Sequence, residues 1–279
     1  MNGISGAAVI GITLCAWTVG AQEWRTLESS RQLRGAGPAS VRVQYGAGTL
    51  DVAPTSDPVL YRMKLRYDAE RSAPIAQFDE DSRSVTFGTR SAQSGSWNGK
   101  HREGSTLRAE ITNAAPIRLS LELGAAHGDI HLGGLRLTDL SLKTGATELM
   151  IDFDTPNRES MSYLDVDVGA AKVVMRRAGN ARTSRVRINV GAGSLDYDLS
   201  GTWEGETELS ANVAVGEFTL RAPADVGVRV VSKTFLAGFD KAGLEKRGDA
   251  WYTRGYDSAR RKVRANVTTV LGNFDLVQR

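Results

Sequence analysis

Apolar and polar residues alternate along most of this chain, and the alternation repeatedly stops at a glycine-rich bend and then resumes. The clearest case is Asn189-Val190-Gly191-Ala192-Gly193-Ser194-Leu195-Asp196-Tyr197. A period of two puts successive side chains on opposite faces of a strand, so the stretch predicts strand, bend, strand. Versions of it occur at Tyr45–Val52, Ala125–Leu132, Thr144–Ile151, Val168–Met175, Val213–Leu220 and Thr269–Leu276.

One apolar anchor after each bend sets these copies in register: Leu50, Ile130, Leu149, Val173, Leu195, Phe218 and Phe274. Two residues later comes a second apolar position (Val52, Leu132, Ile151, Met175, Tyr197, Leu220, Leu276). Seven before each anchor lies a third (Val43, Leu123, Leu142, Val166, Ile188, Ala211, Val267). Nine before lies a fourth (Val41, Leu121, Leu140, Leu164, Val186, Leu209, Ala265).

From Ile130 to Phe218 the anchors are 19, 24, 22 and 23 residues apart, the range of a repeat architecture. One such unit cannot bury its apolar face alone, so neighbours must stack. The expected fold is all-β, a parallel β-solenoid. An antiparallel sandwich with evenly spaced strands would show similar alternation, but the constant offset across the bend favours the solenoid.

The flanking segments complete the layout. Residues 1–21 carry no charged side chain, Gly6–Val19 is mostly apolar, and Val19-Gly20-Ala21 ends in small residues. This fits a secretory signal peptide cut after Ala21, leaving one solenoid domain over 22–279. An uncleaved anchor is the alternative, although the apolar run is short for a bilayer span. Past residue 21 there is no transmembrane candidate. Glu23–Pro38 is expected to cap the open end of the stack. Two excursions interrupt the repeat, at about 54–115 and 232–262. The first holds strands at Val59–Tyr67, Gln77–Gly88 and Leu107–Ile111. It also holds a Ser-, Gly- and Asn-rich loop at 89–105, with Trp97 as a candidate exposed binding aromatic. Lys262–Leu276 is expected to be the closing level.

The one cysteine, Cys15, lies within the signal, so the mature chain has no thiolate for a metal or a nucleophile. The net charge of +3 arises from nearly balanced acids and bases and implies no general attraction to nucleic acid.

An export signal, Gly-x-Gly-x-Leu-Asp-type levels and the terminal Leu271-Gly272-Asn273-Phe274-Asp275-Leu276 together resemble the bacterial putative-adhesin and toastrack domain families. The segment 251–259 before the last level is also similar to their C-terminal pattern. The resemblance covers about residues 40–277. It implies a solenoid-like fold and a role in envelope attachment or envelope-stress response. It carries over no catalytic residue and no cofactor.

Candidate chemistry is sparse. Paired carboxylates could serve a carbohydrate-active β-helix enzyme. Yet the register sets Asp152, Arg176, Asp198 and Arg221 as an outward ladder of alternating sign, with Lys143 beside Asp167, Asp165 beside Arg187, and Arg185 beside Glu208. Opposite charges across adjacent strands are the ordinary dressing of a solvated face. His127, Asp129 and His131 would share a strand face with Glu148 beside Asp129, a donor set that suits zinc. The competing reading is a solvent-facing histidine pair, and no required metal is expected. Gly191-Ala192-Gly193 leads into a strand, whereas a nucleotide fingerprint opens a helix.

These readings favour an exported, non-catalytic envelope binding or scaffold domain whose partner is an envelope protein or surface polymer. A stress-sensing domain acting through a membrane partner is the second possibility, and a carbohydrate-active enzyme the third. Amino-terminal sequencing of the exported protein should begin at Gln22; an intact Met1 would show that the segment is retained.

Overall fold

The computed structural model describes residues 23–91 and 104–279. The expected signal segment and Trp97 lie outside the described residues. The strands are β1 (Trp24–Gln32), β2 (Ala39–Thr55), β3 (Val59–Asp68), β4 (Ser72–Asp79), β5 (Ser84–Ser91), β6 (Thr106–Thr112), β7 (Ile117–His131) and β8 (Leu137–Thr144). They continue as β9 (Glu148–Asp152), β10 (Tyr163–Arg176), β11 (Arg185–Asp198), β12 (Gly205–Ala222), β13 (Val226–Phe239), β14 (Glu245–Arg247), β15 (Ala250–Tyr252) and β16 (Arg261–Gln278). All belong to one 16-stranded sheet.

The long strands each run through a bend and are stacked in parallel, β2 on β7, β7 on the split pair β8 and β9, then β10, β11 and β12. Val166 sits beside Ile188 on adjacent parallel strands, and Ile188 beside Ala211. The chain is therefore a parallel β-solenoid, and the antiparallel sandwich is excluded. Period-two alternation turns one set of side chains inward on every level. Leu142, Val166, Ile188, Ala211 and Val267 form one buried column, and Leu149, Val173, Leu195, Phe218 and Phe274 another. Ring stacking extends the second column, with Phe218 to Phe274 at 5.5 Å and Phe274 to Phe239 at 4.9 Å between centroids.

The β7 level departs from the expected register by two residues. Leu121 lies between Val43 and Leu142, Gly128 between Leu50 and Leu149, and Ile130 between Val52 and Ile151. A shift of two preserves which face each side chain takes, so the burial pattern survives it. Gly128 fills the anchor position because the levels are pinched there: a Cβ would lie 2.2 Å from the Leu50 carbonyl oxygen. An apolar pattern cannot mark a glycine as inward-facing. The bend glycine of this level is Gly124.

The first excursion also belongs to the stack. β5 and β6 lie on the two halves of β2 in parallel, and β4 and β3 then pair with them antiparallel. β1 pairs antiparallel with β3 at the outermost position, the place expected of a cap.

The opposite end differs from expectation. β16 is not the last level: it is inserted between β12 and β13, parallel to both. β13 extends to Phe239, deeper into the second excursion than its apolar pattern suggested, because its bend and second half carry exposed side chains. Its first half is partly covered by β15, which pairs with Arg229 and Val230.

Two buried asparagines hold the return loops. Asn157 accepts from the Leu137 N–H at 2.8 Å and donates to the carbonyls of Leu137 and Glu159. Asn180 donates to the Phe153 carbonyl at 2.7 Å and accepts from the Thr202 N–H at 2.6 Å. Each replaces backbone partners that a loop inside a stack cannot obtain from water.

Ile188→Ala should lower unfolding free energy by about 2–5 kcal/mol in chemical denaturation, since the column above and below cannot collapse onto the gap. Ile188→Asp should leave the chain unfolded in circular dichroism.

Candidate binding surface

The bend edge presents side chains along the length of the stack. The bend positions are Gly46, Gly124, Gly145, Gly169 and Gly191, each followed by an alanine: Ala47, Ala125, Ala146, Ala170 and Ala192. Close approach demands the glycine at Gly124, Gly145 and Gly169. A Cβ on Gly124 would lie 2.2 Å from the Gly46 carbonyl oxygen, and one on Gly145 2.6 Å from that of Gly124. Ala170 and Ala192 are exposed.

Polar columns flank this floor. On the upstream side Gln44 donates to Glu122 at 2.8 Å, Lys143 lies beside Asp167, Asn189 donates to Asp167 at 2.7 Å, and Asn212 donates to Asn189 at 3.0 Å. Gln44, Glu122, Lys143, Asp167, Asn189 and the bend glycines line a shallow depression of about 820 Å³. On the downstream side, His127, Glu148, Lys172 and Ser194 border a second of about 580 Å³ floored by Ala146, Ala170 and Ala192. Glu148 and Lys172 pair at 3.4 Å. The edge thus offers an open, small-residue track between rows of donors, acceptors and charges of both signs, a surface able to receive an extended polar chain.

His127, Asp129 and His131 all point outward on one strand face, as expected from their spacing. The register shift changes their neighbours: Glu148 lies beside His127, while Asp129 lies between Asp51 and Met150. Among the described residues no three His, Cys, Asp or Glu side chains gather closely enough to hold a metal ion.

The charged columns of the upstream face follow expectation, with Asp165 beside Arg187 and Arg185 beside Glu208. The downstream ladder is rearranged. Arg176 lies beside Asp152 and Arg221 beside Asp198, but the ion pairs are Arg177 with Asp152 and Arg221 with Asp196 at 2.7 Å. Arg177 adopts a left-handed backbone at the start of a short 3-10 turn over Ala178–Ala181, which brings its guanidinium onto Asp152. Asp152 is buried instead of solvated. Asp198 instead accepts from the Ser200 hydroxyl and N–H.

Sequence reasoning missed Asn157, Asn180 and the open bend track. The two asparagines lie in return loops of similar length, a weak signal, and the track is made of residues that hydrophobic patterning ignores.

A family model described as the N-terminal domain of toast_rack, DUF2154, matches residues 20–176, more than half of the chain. No curated protein sequence matches. A putative cell adhesion protein from Clostridium sporogenes is similar in structure at 14% identity and TM-score 0.49, over 92% of this chain and 100% of its own. A putative adhesin from Parabacteroides distasonis is similar at 8% identity and TM-score 0.40, over 92% and 98%. A putative lipid binding protein from the same organism is similar at 8% identity and TM-score 0.34, over 93% and 98%. Among the described residues no helix is long and apolar enough to cross a membrane.

Asp165 gives the surface a pH signature. Burial, then the Asp167 carboxylate, push its acid upward against the pull of Arg187 and Lys143. One of its oxygens is buried without a hydrogen-bond partner. The folded state therefore holds this proton more tightly than the unfolded chain, and the group's contribution to stability falls as pH rises through its folded pKa. Asp165→Asn should melt higher than the parent at pH 7. The difference should shrink as pH falls below the ordinary aspartate range, as a melting series across pH would show.

Proposed function

The chain belongs to the toast-rack family, and from that premise we propose that it is an exported, adhesin-like envelope domain that binds an extended polar polymer without catalysis. The first 21 residues support export. The observation that carries the binding reading is the bend track: successive levels offer glycine and alanine at the same two positions, with hydrogen-bonding columns on both sides. Five such levels about 4.8 Å apart make a track of about 19 Å, long enough for several units of a surface polysaccharide. Rows of hydroxyl groups on such a polymer would meet Gln44, Asn189, Asn212 and Ser194, and the alternating charges would exclude a strongly single-signed chain. Of the two carboxylates pushed upward, Asp165 faces Asp167 and Lys143 beside the track, and Asp275 lies on β16.

The track can be filled without touching the core. Ala146→Trp and Ala170→Trp, both at exposed positions, should leave the melting temperature unchanged and reduce retention on purified envelope polysaccharide about tenfold. Equal retention of parent and variants, or no retention of the parent, would overturn this assignment.

A further inference from the structure

The bend edge changes character toward β13. At the position held by glycine from Gly46 to Gly191, the next levels carry Ala214, Val270 and Phe235. At the neighbouring position the alanines give way to Val215, Leu271 and Leu236, which lie side by side. Phe235 is 78% exposed and Leu236 65%, and Val215, Val270 and Leu271 are exposed as well. Among the described residues these are the exposed large hydrophobics, and all fall on the last three levels. A contiguous apolar patch of this kind marks an interaction site.

Two further features adjoin it. Beyond Val230 the outer edge of β13 has no strand on it among the described residues, so main-chain donors and acceptors of residues 232–239 face outward. Past the bend the surface is acidic. Glu217 lies two residues beyond Val215, and Asp275 and Asp240 lie on the neighbouring levels. Burial first, then Glu217, and Asp240 to a smaller extent, push the Asp275 acid upward against the Asn273 amide that donates to it. Of the nearby cations, Arg221 pairs with Asp196 and also faces Glu217, Lys241 lies over the Phe239 and Trp251 rings, and Lys233 is on the upstream side of the bend.

We propose that this end of the stack docks an extended strand of a partner protein in which apolar residues alternate with lysine or arginine. Its backbone would add to the β13 edge, its apolar side chains would cover Phe235, Leu236 and Leu271, and its cations would meet Glu217, Asp240 and Asp275. An anionic lipid surface would face the same carboxylates and leave the strand edge unsatisfied in hydrocarbon. A second copy joined edge to edge through a two-fold axis would run antiparallel to β13 and offer these carboxylates one cation, Lys233, from residues 232–239. The site is separate from the polymer track, so either assignment can fail alone.

The test uses the mature chain and short synthetic peptides of alternating valine and lysine or alternating valine and glutamate, followed by fluorescence anisotropy. The valine–lysine peptide should bind and the valine–glutamate peptide should not. Phe235→Ser with Leu236→Ser should weaken binding about tenfold, and Glu217→Gln with Asp275→Asn should remove most of its salt dependence. Ala170→Trp should leave it unchanged. Equal binding of the two peptides, or binding indifferent to the serine pair, overturns the proposal. So does Phe235-dependent sedimentation with phosphatidylglycerol vesicles in place of peptide binding, which would assign the patch to lipid. Phe235-dependent self-association in sedimentation velocity, without peptide binding, would assign it to a second copy and likewise overturn the proposal.

Discussion

The structure depends on how closely one bend can lie on the next. Parallel strands stack at about 4.8 Å only if nothing projects between consecutive backbones. At the bend the chain turns so sharply that a single Cβ would enter the neighbour's carbonyl. Gly216 is one of the tightest cases: its φ is +136°, and a Cβ there would lie 1.8 Å from the Gly193 oxygen. Glycine meets this constraint in one of two columns, Gly124, Gly145 and Gly169 at the first bend position or Gly193, Gly216 and Gly272 two residues further on, and the register so kept builds the inward columns. The exposed track is the outer side of the same constraint, since what keeps the levels together also leaves the edge without side chains.

Much of this was legible in the sequence because alternation is a direct record of burial in a sheet. Leu142, Val166, Ile188 and Ala211 lie in one column because each sits at the same distance from its bend. The β7 level resisted the same logic: its anchor is a glycine, and a two-residue slip puts the same leucines inward. The position of β16 was not legible either. Its pattern of apolar residues equals that of a terminal level, and nothing local distinguishes a strand that ends a stack from one that enters it. Asn157 and Asn180 escaped notice because their role arises from loops stacked in space.

The same face-to-face periodicity explains why charge reads poorly as chemistry here. Asp165, Asp167, Arg187 and Glu208 take their neighbours from the adjacent levels, so acids and bases fall side by side through register alone. Where the strand ends and the backbone turns, as at Arg177, pairing is decided by the turn, and the expected ladder breaks.

The insertion of β16 between β12 and β13 has a consequence in time. A solenoid whose levels follow chain order can assemble as the chain is delivered, each level closing on the one before. Here β13 has only the short β15 as a permanent neighbour until the last 18-residue strand arrives. β13 must wait, or pair provisionally with β12 and then be displaced. The final strand works as a keystone. A chain released before its carboxyl terminus would hold a sound amino-terminal stack with an unfinished, adhesive end.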